Sequence, residues 1–188
     1  MPLVALAKWG NKRFSVQTGD FLFCATMNVE IRIEVMIMKS NKVDLIERLK
    51  VILDEHSDKR IVVVGTTCTG KSTLLKEIDG THDMDELVFP LLTKEESDFV
   101  CSVPWTEEIG QTMIRLTKER VEVKAGEPVF GTVVLESDLI VYLKISDALL
   151  RERTGARNAH FEDAKNMQRQ IEGEIIKRGV PVIEFDVG

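Results

Sequence analysis

Ile61-Val62-Val63-Val64-Gly65-Thr66-Thr67-Cys68-Thr69-Gly70-Lys71-Ser72-Thr73 is the stretch that decides how this chain folds. Four consecutive β-branched apolar residues fit a strand buried on both faces of a parallel sheet. From Gly65 the letters spell G-x-x-x-x-G-K-S, and residues 72–78 continue with helical character. Strand, glycine-bearing turn and helix, in that order, make a cradle for polyphosphate. The glycines let backbone N–H groups close around the anion, and the helix N-terminus adds partial positive charge. Gly65, Thr66, Thr67, Cys68, Thr69, Gly70, Lys71, Ser72 and Thr73 are therefore the expected nucleotide-binding set. Lys71 is placed to reach the β- and γ-phosphates of ATP, and the Ser72 hydroxyl to ligate Mg²⁺.

Composition sets wide bounds. The 188 residues suffice for one α/β domain and an appendage, and 44% hydrophobic with 30% charged residues is ordinary for a globular protein. A net charge of -6 argues against nucleic acid as the main partner. Cys24, Cys68 and Cys101 show no metal or C-x-x-C spacing, which points to reduced thiols and a cytoplasmic location. No apolar run approaches a membrane span, and nothing in the letters specifies an oligomeric state.

Working outward, residues 1–38 form an N-terminal extension with two open readings. Alternation of Val29, Ile31, Ile33, Val35 and Ile37 with polar residues fits a strand, after a β-hairpin around Thr18-Gly19-Asp20. Alternatively the segment lies upstream of a start at Met36 or Met38. Residues 39–188 form the main domain. A helix from Ser40 or Asn41 through His56 carries Leu45, Ile46, Leu49, Ile52 and Leu53 on one face. Asn41-Lys42-Val43-Asp44 spells the N-K-x-D guanine-reading motif, but no D-x-x-G follows the 65–72 loop, and a helix cap explains the same letters.

Beyond the loop, a second strand is expected over Met84–Phe89, closed by Pro90. Helices are expected over residues 93–100 and from Thr106 to Arg120. A short strand follows at residues 128–131, a stronger one at 139–144, and a helix capped by Ser146. The arginine-rich stretch 151–157 comes next, then a helix over 161–177 and a last strand over 180–186. Alternating strands and helices imply a three-layer α/β fold with a mostly parallel central sheet. His56, His82 and His160 read as surface or capping residues, and Trp105 as core or as a base-stacking residue.

Arg151, Arg153 and Arg157 are the second chemical signal, since guanidiniums suit the charge that develops on a transferring phosphoryl group. The strand 138–143, a capped helix and Arg153-Thr154-Gly155-Ala156-Arg157 resemble the corresponding stretch of the P-loop NTPase superfamily, in its nucleoside and nucleotide (adenylate-kinase-like) small-molecule kinase branch. The terminal strand is similar too, and the similarity covers residues 60–188. It implies that Lys71, Arg153 and Arg157 stabilise the transferring phosphate, that Ser72 holds Mg²⁺, and that the arginines belong to a lid.

The chain also departs from that pattern. It has no D-G-F-P-R stretch, no acid-Arg-Ser after the third strand and no Gly-Gly-Gly. Val129-Phe130-Gly131-Thr132 ends without an acid, so the usual metal-supporting carboxylate has no place there. Asp83-Met84-Asp85 resembles the D-x-D of shikimate-kinase-like enzymes, making Asp85 a candidate to hold a metal water or orient an attacking hydroxyl; Glu136 and Asp138 are weaker candidates. The expected function is phosphoryl transfer from ATP, with Mg²⁺, to a small molecule held between Asp83 and Arg120. Arg153→Ala would then lower turnover more than affinity. A nucleotide-hydrolysing switch and a binding module without turnover are the alternatives.

Overall fold

The computed structural model describes residues 43–102 and 106–188, within the compact unit Val43–Gly188. The expectations for residues 1–38, for Asn41-Lys42 and for Trp105 lie outside the described residues. Five strands form one parallel sheet: β1 (Ile61–Val64), β2 (His82–Asp83), β3 (Val129–Gly131), β4 (Leu139–Lys144) and β5 (Val182–Asp186). Their spatial order is β2-β3-β1-β4-β5, so β1 is central, with Val64 beside Gly131 on one side and Tyr142 on the other. All four β1 residues are fully buried, which is why the run lacks the alternation of a half-exposed strand.

The pleat divides the core in two. Ile61 and Val63 share one apolar cluster with Phe130, Val141, Leu143 and Phe185, whereas Val62 and Val64 join Val129, Ile140 and Tyr142 on the opposite face. The first face is covered by α1 (43–55), α2 (Lys71–Leu75) and α6 (Asp147–Ala156), through Leu49, Leu53, Leu74 and Leu150. The second is covered by α3 (Met84–Val88), α5 (Glu107–Arg120) and α7 (Phe161–Arg178), through Met84, Val88, Met113 and Ile171. Helices on both faces of a parallel sheet make three layers. Truncating a fully buried residue such as Leu49 to Ala is expected to cost roughly 2–5 kcal/mol.

Two expectations need correction. Met84–Phe89 is not a strand: α3 spans Met84–Val88, a 3-10 turn follows at Phe89–Leu91, and only His82–Asp83 pairs with β3. The Asp83 carboxylate accepts from the Asp85 N–H at 2.9 Å, and Asp85 and Glu86 occupy the first turn, where the helix dipole favours acids. Met84 and Val88, four apart, then bury one face. Nor is the arginine stretch a separate segment after the helix: it is part of that helix. α6 carries Arg151 and Arg153, Arg157 is its C-cap residue, and only residues 157–160 separate it from α7. Ser146 caps α6 by accepting from Leu149 N, and Thr154 Oγ1 donates back to Leu150 O, so the helix runs through the whole stretch.

α4 (Lys94–Val100) starts with a reciprocal capping box between Thr93 and Glu96, and Arg120 of α5 forks onto the same Glu96. Chain direction across the sheet also reverses around β1: the connection from β1 leads to β2 on one side, and β4 lies on the other. The carboxyl ends of strands at such a reversal leave a crevice. The 65–72 loop opens into it.

Candidate functional site

Nearly every carbonyl of the 65–70 turn has a donor. Lys71 Nζ donates to Gly65 O at 2.6 Å and to Thr66 O at 2.7 Å, and Thr69 Oγ1 donates to Thr66 O at 2.8 Å. Arg153 Nη1 reaches from α6 to Thr69 O at 2.9 Å and to Cys68 O at 3.5 Å. Gly70 O accepts from Thr73 N and Leu74 N. The amides differ: among the described residues no protein acceptor takes the N–H of Cys68, Gly70, Lys71 or Ser72, and no side chain caps α2. A turn whose carbonyls are held while its N–H groups are left without acceptors has the construction of an anion-binding nest.

That construction needs left-handed backbone. Gly70 has φ 99°, where a side chain is strained, and Cys68 adopts φ 64° without being glycine. The Cys68 cost, about 1–2 kcal/mol, is offset by its buried side chain and by Arg153 on its carbonyl. Thr66 anchors the other end: buried itself, it donates from Oγ1 to Ala164 O on α7 at 2.5 Å.

The crevice is about 430 Å³, within the range of small-molecule sites. Thr67, Cys68, Gly70, Lys71 and Ser72 form its loop wall, and Asp83 and Asp85 face them from the start of α3. Phe130, Gly131 and Thr132 form the floor at the end of β3; Arg157 and Ala159 close the side from the α6–α7 turn. A side chain at Gly131 would collide with Met84, since a Cβ there would lie 2.8 Å from Met84 Cβ, which cannot swing away.

Burial pushes the Lys71 ammonium down to about 8; nearby Asp83 and Asp85 oppose that shift and Arg157 adds to it. Burial raises Asp85 above the usual carboxylate range, its neighbour Asp83 raises it further, and Lys71 opposes. Two carboxylates and two cations thus influence each other across one small cleft.

Of the residues expected from sequence, Thr67, Cys68, Gly70, Lys71, Ser72, Asp85 and Arg157 meet in the cleft. Gly65, Thr66, Thr69 and Thr73 are not on its lining. Gly65 N instead donates to Gly131 O, fixing the loop to β3. Arg153 grips the loop from outside, and Arg151 stacks over the Phe161 ring at 3.9 Å, away from the lining. Asp138 and Glu136 both pair with Arg60, just before β1, at the opposite end of the sheet. This fork holds Asp138 down at about 2. Asp44, the last letter of N-K-x-D, is exposed in α1 and faces Arg48 at 3.8 Å.

Sequence reasoning passed over Thr132 and Ala159, and it weighed Asp83 only as part of the pair. Thr132 carried a signal, standing directly after β3 where an acid was sought. Ala159 had none.

The donor set suits Mg²⁺: a hydroxyl (Ser72) and two carboxylates (Asp83, Asp85) line the cleft, and this ion takes one or two carboxylates and fills its shell with water and phosphate oxygens. Among the described residues no group of three His, Cys, Asp or Glu side chains stands together. No protein-family model and no curated protein matches the chain in sequence.

Proposed function

We propose that this chain is a P-loop phosphotransferase that binds ATP with Mg²⁺ on the 65–73 loop and passes the γ-phosphoryl group to a small molecule. One observation carries the reading: unpartnered loop amides and Lys71 face Asp83 and Asp85 across a cleft whose side wall holds Arg157. The amides of Cys68, Gly70, Lys71 and Ser72 bind the phosphates of the donor. Mg²⁺, when bound, would be held by Ser72 and Asp83 and would supply charge neutralisation to the donor phosphates. Lys71 exchanges its loop carbonyls for phosphate oxygens, and Arg157 faces the charge that develops during transfer.

The acceptor hydroxyl forms the new P–O bond, the bond to the bridging oxygen breaks, and ADP leaves with that electron pair. Asp85, on the wall that faces the loop, receives the hydroxyl proton, and burial raises its affinity for it.

Incubating the chain with labelled ATP, Mg²⁺ and a panel of nucleosides, nucleotides, sugars and small acids tests the proposal. Label on one acceptor class, lost in Lys71→Ala, is expected. Label appearing only as inorganic phosphate would favour a hydrolysing switch.

A further inference from the structure

The cleft has charge on both walls, and where each cation is committed bears on what can enter beside the donor. Among the described residues its cations are Lys71 and Arg157. Lys71 is bound into the loop, and both lie beside the unpartnered amides that take the phosphates.

From Thr73 to Ile114, the segment that walls the other side, the chain holds only two cationic side chains, Lys76 and Lys94. Both are exposed and neither is on the lining. The next cations along the chain are engaged elsewhere. Arg115 pairs with Glu119, Lys118 with Glu174, and Arg120 forks onto Glu96 while also donating to Leu91 O. Over residues 83–120 the sequence carries nine acids (Asp83, Asp85, Glu86, Glu95, Glu96, Asp98, Glu107, Glu108, Glu119) against four bases, most of the chain's net charge of -6.

We infer that the phosphoryl acceptor is an uncharged or cationic alcohol or amine, and not a phosphate monoester or carboxylate. The inference rests on the donor-site reading above. A metal-bound triphosphate still carries negative charge, and its compensation uses Lys71 and Arg157. A second anion beside it would face Asp83 and Asp85, and among the described residues the lining holds no further cation. Like charges brought together in a site of reduced dielectric repel strongly, and among the described residues no ion pair within the cleft offsets that. A hydroxyl or amine N–H, by contrast, finds in Asp85 an acceptor for its hydrogen bond and then for its proton.

The experiment uses the full chain with labelled ATP and Mg²⁺, and compares matched probes: nucleosides against their 5′-monophosphates, and amino alcohols against hydroxy acids. A fluorescent triphosphate monitors donor binding in parallel. The uncharged or cationic member should have the higher kcat/KM by on the order of 100-fold. Asp83→Asn should narrow that ratio. Donor binding with preferential labelling of monophosphates or acids, or with labelling of neither member, overturns the inference while the donor site stands. Failure of the triphosphate to bind overturns both.

Discussion

The 65–72 wall of the cleft is held by side chains from three elements, whereas the facing Asp83–Asp85 wall hangs on a two-residue strand, one capping hydrogen bond and the packing of Met84. Thr66 is tied to α7, Thr69 to α6, and Lys71 back onto the loop itself. On the first wall the backbone is the binding group, so its peptide planes must be fixed before an anion arrives. On the second wall the side chains bind, and a carboxylate on the first turn of a helix can adjust to its ligand. The walls therefore differ in what a mutation should do. Changes on the loop wall should remove donor affinity, and changes on the acid wall should remove turnover.

The largest expected effect is Lys71→Met. Turnover with the best acceptor should fall about 1,000-fold, and triphosphate affinity should fall with it. Thermal stability should stay equal or rise. The native ammonium sits at about 8, below its ordinary value of 10.5, so the unfolded chain binds the proton more tightly. That burial opposes folding at neutral pH, and methionine removes the penalty while giving up the bonds to Gly65 O and Thr66 O. A melting curve beside the kinetics separates a lost function from a lost fold.

Asp85→Asn sharpens the comparison from the other wall. It should lower kcat about 100-fold while leaving triphosphate affinity unchanged or tighter, because one of two repelling carboxylates is neutralised. A fall in affinity with kcat intact would erase the distinction between the walls.

The two arginines give the next test. Arg157→Met should lower kcat about 100-fold, since Arg157 lines the cleft. Arg153→Met should act mainly on triphosphate affinity, about tenfold, by releasing Thr69 O and Cys68 O. It should also speed hydrogen exchange at the loop amides of the nucleotide-free protein, which Arg157→Met should not do. This reverses the expectation drawn from sequence, where Arg153 was given the phosphate itself.

Legibility followed how local each signal was. β1, β4 and the 65–72 turn were readable because four buried β-branched residues and a fixed G-x-x-x-x-G-K-S spacing are complete within a dozen letters. α3 was misread because Met84, Leu87, Val88 and Phe89 fit a strand by residue type. The deciding fact was the Asp83 cap on Asp85 N, which residue type alone does not announce. Arg151, Arg153 and Arg157 looked like one group in sequence. At helical spacing they diverge: one stacks on Phe161, one grips the loop and one faces the cleft. Thr132 and Ala159 enter the site through sheet register and a turn. Only tertiary structure sets those.

The smallest effect expected is one of pH, and it comes from Lys71 in two opposite senses. Between about 8 and 10.5 the unfolded chain holds a proton that the native one has lost, so folding stability should rise with pH across that window. Donor binding runs the other way. A polyanion beside Lys71 raises its proton affinity, so the complex holds a proton that the free protein releases above about 8. Triphosphate affinity should therefore fall about tenfold between pH 7 and 9, with proton uptake on binding visible as a buffer-dependent heat in calorimetry. Lys71→Met should flatten both slopes. An affinity slope that persists in the variant would move the titrating group away from the loop wall.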